Sequence, residues 1–245
     1  MIKKRALVTG GSGGLGAAIC QKLAVENYQV FLTYNSNAAA AQATLESLPA
    51  EGHQAFALDI SNSHQINELA KQLTEEHGRL DLLVNCAGTT RFVEHRDLDA
   101  LDDELFDNIF RVNVRAPFAM VRAFKPLLVE ARGCVINITS IAAQTAMGSN
   151  IAYCASKAAA ENMTRSLARA LSPAIRVLAI APGLVDTEFV KGIDPQWRNK
   201  QEQITPLGRL ARADEVASAV FYAAEQMTFS TGTTLAVDGG RPLGI

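Results

Sequence analysis

The chain has 245 residues, 48% of them hydrophobic and 20% charged, a balance that suits one packed core and is too apolar for a disordered polymer. A formal net charge of −2 offers no long-range attraction to a phosphate backbone, and no basic stripe interleaved with aromatics occurs, so nucleic acid is not an expected partner. No apolar run approaches the roughly 18 residues that span a bilayer, and no repeat or low-complexity tract divides the chain, so residues 1–245 are expected to form one domain with no membrane partner.

In chain order, MIKKRALVTG has too short an apolar run for a secretory signal and reads as a first strand at Ala6–Val8. Further apolar runs of strand length follow at Gln29–Thr33, Gln54–Leu58, Leu80–Val84, Cys134–Ile138, Arg176–Ile180 and Thr233–Val237. Segments of helical period lie between them, including Gly14–Glu26 and the alanine-rich Ala38–Leu48. Asn62 or Ser63 suits the N-cap of a helix running to His77, and Gly78 suits its stop. Strands that are apolar throughout, instead of alternating, are what a parallel sheet covered by helices on both faces requires. The expected class is therefore α/β, a doubly wound seven-stranded parallel sheet with right-handed crossovers.

Cys20, Cys86, Cys134 and Cys154 are widely spaced, without a C-x-x-C pair or a histidine at ligand spacing. Four reduced cysteines and no metal site are expected, as in a cytoplasmic protein.

Directly after the first strand comes TGGSGGLG, with Gly10, Gly14 and Gly16 spaced G-x-x-x-G-x-G where a helix begins. A tight turn needs residues without a Cβ, a pyrophosphate needs close approach of the backbone, and a helix N-terminus offers unpaired N–H groups. Glycine in such a turn also serves purely conformational needs, but the position in the first βαβ unit favours a dinucleotide. The expected contacts are Gly10, Ser12, Gly13, Gly14, Leu15 and Gly16. An NAD site usually ends the second strand in a carboxylate that takes the ribose 2′-hydroxyl. Here the strand runs into Tyr34, Asn35 and Ser36, with no acid before Glu46. Nothing there repels a 2′-phosphate, and Asn35 and Ser36 are able to donate to it. No lysine or arginine occurs between Lys22 and Lys71 to neutralise it; NADP is favoured, with NAD as the alternative.

Tyr153 and Lys157 stand four apart in YCASK, within a good helix-forming stretch, and so share a helix face. A phenol titrates near about 10, and a neighbouring ammonium favours its ionised form. Such a pair alone also fits an ordinary exposed helix surface.

TGGSGGLG, Asp59 in LDI, NCAG at 85–88, Asn113 in RVNV, Ser140 in ITSIA, YCASK, APG at 181–183 and Thr187 follow one another in a recognisable order and spacing. In these motifs the chain resembles the short-chain dehydrogenase/reductase family over essentially its whole length. The resemblance implies a Rossmann fold and hydride transfer between a nicotinamide cofactor and a carbonyl carbon. It implies that Tyr153 exchanges a proton with the carbonyl oxygen, that Ser140 holds that oxygen, and that Lys157 binds the nicotinamide ribose and depresses the Tyr153 pKa. Asn113 would support a water-linked proton path to Lys157. Further implied cofactor contacts are Asp59 and Ile60 at the adenine, Asn85, Ala87 and Gly88 along the cleft, Tyr153 and Lys157 themselves, and Pro182, Gly183, Val185 and Thr187 near the carboxamide. Ser140, Asn113 and Thr187 also have structural readings, as a strand end, a helix stabiliser and a helix cap.

Two positions depart from the family pattern. Cys86 stands where a second asparagine is more common, and Gly13 stands where NADP-dependent members commonly carry a basic residue. The tail, PLGRLARADEVASAVFYAA followed by STGTTLAVDGG, resembles that of 3-oxoacyl-(acyl-carrier-protein) reductases. That likeness implies a homotetramer and a small-molecule ketone or 3-oxoacyl thioester substrate. An acyl carrier protein is a further candidate partner, although the helix ends VEARG and LSPAI offer only Arg132 as a docking cation. Ala142, Gln144, Met147 and Asn150 are expected to face the substrate, with residues 188–207 as a lid. The alternatives are an NAD-dependent alcohol or sugar dehydrogenase of the same family and a non-catalytic dinucleotide-sensing module, because a fold alone does not establish chemistry.

Overall fold

The computed structural model describes residues 3–187 and 195–243. Each of the seven apolar runs forms a strand: β1 (Arg5–Val8), β2 (Gln29–Tyr34), β3 (Gln54–Ala57), β4 (Leu82–Asn85), β5 (Cys134–Ile138), β6 (Arg176–Pro182) and β9 (Thr234–Val237). They pair in parallel in the order β3-β2-β1-β4-β5-β6-β9. A separate two-residue parallel pair, β7 (Val185–Asp186) and β8 (Ala211–Arg212), was too short to leave a sequence signal.

The strands alternate their side chains between two cores. From β1, Ala6 and Val8 pack with Ile19, Leu23 and Val220 on one face. Leu7, between them, packs with Phe31, Ile66, Leu73 and Phe124 on the other. Each such fully buried aliphatic or aromatic side chain contributes about 1.5–3 kcal/mol. Both faces are thus apolar because both are covered: α1 (Gly14–Val25), α2 (Ala38–Ser47) and α9 (Ala213–Glu225) contribute to the first core, and α3 (Ser63–His77), α5 (Ala116–Ala131) and α7 (Ile151–Leu171) to the second.

Helix ends follow the capping chemistry. The Asn62 side chain accepts from the N–H groups of His64 and Gln65, and Gly78 closes α3 in the left-handed conformation at φ 71°. One feature has no counterpart in the periodicity: between α4 (Asp103–Phe110) and α5 the backbone makes a π-turn at Arg111–Arg115. Inserted turns of this kind re-aim side chains and recur at functional sites, and this one holds Asn113 at 3% exposure.

From β1 the sheet grows one way through β2 and β3, then the other way from β4. The crevice at this switch point, beyond the carboxyl ends of the strands, is where such sheets bind ligands. Residues 188–194 of the expected lid lie outside the described residues. The next stretch forms α8 (Pro195–Gln203), fixed to β7 by Arg198, whose guanidinium donates to both Asp186 carboxylate oxygens at 2.8 and 2.9 Å. Among the described residues no helix is long and apolar enough to cross a membrane, the four cysteines are free, and no cluster of histidine, cysteine and acidic groups is arranged to hold a metal ion.

Candidate active site and cofactor cleft

A cleft of about 630 Å³ opens at the switch point. Its floor is the turn from β1 into α1. Gly10 adopts φ +70°, and a Cβ there would sit 3.0 Å from Ala87 Cα. Gly16 is more constrained, since its Cβ would lie 2.1 Å from the Gly10 carbonyl oxygen. Thr9, the first residue of the TGGSGGLG motif though not among the expected contacts, locks the turn: its hydroxyl accepts from the N–H groups of Cys86 and Ala87 at 3.0 and 3.1 Å. No side chain caps α1 at Gly13, which leaves first-turn N–H groups and the positive end of the helix dipole facing the cleft.

This arrangement fits a dinucleotide. The cleft is of ligand size, its floor is backbone packed too closely for side chains, and a helix N-terminus meets it. In addition, Asn85 Oδ1, at the strand end beside the cleft, is buried without a hydrogen-bond partner. Burial pushes the Cys86 thiol up to about 12, so at this position it is a neutral lining residue.

Ser140, Tyr153 and Lys157 lie beside the cleft, where Lys157 approaches Gly88 of its lining. Ser140 follows β5, its hydroxyl accepts from the Ala142 N–H at 3.1 Å, and it stands close enough to the Tyr153 phenol to influence its ionisation. Burial raises the Tyr153 pKa, and the Ser140 hydroxyl opposes that rise. Lys157, one helical turn on, places Nζ 5.6 Å from the Tyr153 ring centre and donates to the Ile138 carbonyl at 2.9 Å. No carboxylate pairs with it among the described residues, and desolvation lowers its pKa to about 8. The expected depression of Tyr153 by Lys157 is not what this geometry produces; burial dominates, and the phenol stays protonated at neutral pH.

Asn113 reaches the catalytic helix indirectly. Its Oδ1 accepts from the Thr89 N–H at 2.8 Å, and its Nδ2 donates to the Thr89 carbonyl at 3.0 Å and to Ser156 Oγ at 3.1 Å. A Cβ on Gly88 would lie 3.2 Å from Asn113 Oδ1 and 3.8 Å from Lys157 Nζ, so this glycine keeps open the space between the two side chains. A second buried chain, Asn85 to Asn137 to Thr164 with both bonds at 2.9 Å, ties β4 through β5 to α7. Asn137, Ser156 and Thr164 gave no motif in the sequence, where polar residues inside apolar elements carry no fixed spacing.

Of the expected cofactor contacts, Gly10, Ser12, Gly13, Leu15, Gly16, Tyr34, Asn35, Ser36, Asp59, Ile60, Ala87 and Gly88 line the cleft. Gly14 and Thr187 stand beside each other outside that lining, a Gly14 Cβ lying 3.8 Å from Thr187 Cγ2. Pro182 accepts from the Ile141 N–H at 3.1 Å, Gly183 abuts Asp238, and Val185 begins the small strand pair. Thr33, Asn37, Leu58, Ser61, Thr89, Asn108, Arg111 and Val112 also line the cleft, and no motif marks them in the sequence.

Two expected substrate contacts are corrected. Asn150 is 1% exposed, caps α7 by accepting from the Tyr153 N–H at 2.7 Å, and spends its amide on Thr90 and the Arg91 carbonyl. Ala142 is 2% exposed and packs against the loop. Met147 is 65% exposed, and Gln144 donates to Glu161 at 3.4 Å.

The lowered Lys157 value sets a pH limit. The ammonium is kept below about pH 8 and lost above it, while Tyr153 remains a proton donor throughout that range. If the charged lysine serves the reaction, kcat/KM for reduction falls about tenfold per pH unit above 8, because kcat/KM reports groups of the free enzyme. A profile flat to pH 9.5, an upper limit on the order of one and a half units past that lysine value, would remove Lys157 ionisation from the account.

A family model described as enoyl-(acyl carrier protein) reductase matches residues 10–241. Acetoacetyl-CoA reductase of Allochromatium vinosum is 33% identical, covering 96% of this chain and 97% of its own length. A 3-oxoacyl-(acyl-carrier-protein) reductase of Staphylococcus epidermidis is 30% identical, covering 98% and 99%. Among solved structures, the Pseudomonas aeruginosa RhlG/NADP active-site complex superposes with a TM-score of 0.89 at 34% identity, covering 97% of this chain and 96% of that one. With the glycine turn, the switch-point cleft and the Ser–Tyr–Lys cluster on one frame, these likenesses show that the chain belongs to the short-chain dehydrogenase/reductase family of oxidoreductases.

Proposed function

We propose that the protein reduces a ketone, with 3-oxoacyl thioesters as the leading substrate class and NADPH as the reductant. The observation that carries the reading is the grouping of Ser140, a half-buried and protonated Tyr153 and Lys157, whose Nζ lies 5.6 Å from the Tyr153 ring centre, an arrangement suited to grip one carbonyl oxygen and protonate it. Bound cofactor supplies the hydride. Gly10, Gly13 and Gly16 admit the pyrophosphate, and Asp59 and Ile60 lie at the adenine end. Ser140 orients the carbonyl oxygen, Tyr153 gives it a proton, and Lys157 holds positive charge beneath the phenol at pH 7. Asn113 positions the catalytic helix through Ser156 and borders the space by which protons would be resupplied. The named relatives that act on acetoacetyl-CoA and on carrier-linked 3-oxoacyl groups support the thioester.

The absence of an acid at the end of β2 supports NADPH. The absence of a cation there, with Gly13 in the loop, favours the NAD-dependent reading, and following the oxidation of NADPH and NADH side by side with acetoacetyl-CoA decides between them. Faster NADPH loss supports the proposal; faster NADH loss, or no loss with any ketone but NADH formation from alcohols and NAD, overturns it. An acyl carrier protein remains a candidate carrier of the substrate. Assembly as a homotetramer is also proposed, supported by Tyr222 on α9 at 55% exposure and Phe229 beyond it at 106%. Light scattering is expected to give four times the 26.2 kDa chain mass, and a monomer mass would refute it.

A further inference from the structure

The cofactor cleft has two charged side chains in its lining, Asp59 and Arg111. Asp59 is already satisfied: its oxygens accept from the Ser61 N–H at 2.8 Å and from the Ser61 hydroxyl at 3.0 Å. Arg111 is held at one corner only, its Nη2 donating to Asn108 Oδ1 at 2.7 Å, and no carboxylate pairs with it among the described residues. This end of the cleft therefore carries a carboxylate already held by neutral donors and a guanidinium, contributed from the π-turn, with donors to spare.

Its position says which part of a dinucleotide it meets. Arg115, one turn further along, donates to the Ser61 carbonyl at 2.6 Å and to Ser63 Oγ at 3.2 Å. That contact fixes the helix face carrying both arginines against the loop after β3, where Asp59 and Ile60 stand. The ribose 2′ position belongs by contrast to the end of β2, at Asn35 and Ser36. A guanidinium is planar, weakly hydrated and stacks on aromatic faces, and the ring available beside Asp59 and Ile60 is adenine.

We propose that Arg111 is a cofactor-binding residue that lies against the adenine ring and holds the adenosine half of either nicotinamide dinucleotide. The inference rests on the dinucleotide reading of the cleft. Its contribution is that of a cation on an aromatic face, about 3- to 30-fold in Kd. It accounts for how a cleft without a cation at the end of β2 retains its cofactor.

Fluorescence titration gives Kd for NADPH and NADH, and competition gives it for AMP, on the whole protein carrying Arg111, Arg111→Ala or Arg111→Lys. Arg111 is exposed, so the variants are expected to fold, and circular dichroism checks that they do. The expected result is an equal weakening of all three ligands by Arg111→Ala, with Arg111→Lys recovering only part, since it keeps the charge and loses the plane. A loss confined to NADPH would place Arg111 on the 2′-phosphate and overturn the stacking proposal. An unchanged Kd for AMP would overturn it as well. A wild-type protein that binds neither dinucleotide would defeat the cofactor reading itself, and the Arg111 proposal with it.

Discussion

Tyr153→Phe is expected to lower kcat/KM for ketone reduction by about 10²–10⁴-fold, with cofactor Kd and melting temperature nearly unchanged. The substitution removes one hydroxyl and keeps the ring. The α7 cap survives, because Asn150 accepts from the backbone N–H of residue 153 and not from its side chain. Ser140 keeps its bond from the Ala142 N–H, and Lys157 keeps the Ile138 carbonyl. Only the proton donor is gone. Stopped-flow or steady-state kinetics on the variant, beside a fluorescence titration with NADPH, separates the two effects; near-wild-type turnover would show that water or another group protonates the product.

Gly16→Ala is expected to weaken cofactor binding by tenfold or more, about 1.4 kcal/mol, and to cost about 1–3 kcal/mol of stability. The added Cβ meets the Gly10 carbonyl oxygen at 2.1 Å and its carbon at 2.8 Å. Both are backbone atoms of the loop that must approach the pyrophosphate, so relief of the clash distorts the binding surface directly. Gly13→Ala, whose added Cβ meets no protein atom although it lines the cleft, is the control for stability. Gly13 has an extended φ of 178° and nothing within 4 Å of its Cβ, so stability should stay within about 0.5 kcal/mol. Urea melts of the pair make the stability comparison, and a cofactor titration reads the Gly16→Ala effect on binding. Equal stability of the two variants would mean that the loop relaxes freely and that its close packing does not constrain the turn.

The contrast between these two glycines also shows what sequence could and could not convey. The G-x-x-x-G-x-G spacing located the loop, but the same letter at 13 and 16 hides opposite steric demands. The strands were legible because burial on both faces makes them continuously apolar. Asn62 and Gly78 were legible because capping is local chemistry. The π-turn was not, since one inserted residue leaves the helical character of DNIFRVNVR intact while changing which side chains face inward. Arg111 is hidden for a related reason: in the chain it is far from the end of β2, where a cofactor cation is expected, and only the sheet order brings the segment after β4 to the same cleft. Asn150 shows the converse error. A polar residue before a helix near the catalytic tyrosine fits both a ligand contact and an N-cap, and its two filled hydrogen-bonding ends decide for the cap.

Tyr153 and Lys157 illustrate how burial changes a motif's meaning. Their spacing suggests an ammonium pulling the phenol towards ionisation. In the fold, desolvation acts on both, raising the phenol and lowering the amine to about 8. At neutral pH that favours a protonated tyrosine beside a charged lysine, the state that suits reduction.

The most direct test of the central claim follows the hydride itself, by NMR of the product formed from acetoacetyl-CoA and NADPH deuterated at the transferable position. Deuterium on the carbinol carbon of a 3-hydroxybutyryl product, made by the wild type and not by Tyr153→Phe, is the expected result. Product without the label, or label appearing equally in the variant, would contradict hydride transfer to a ketone protonated by Tyr153.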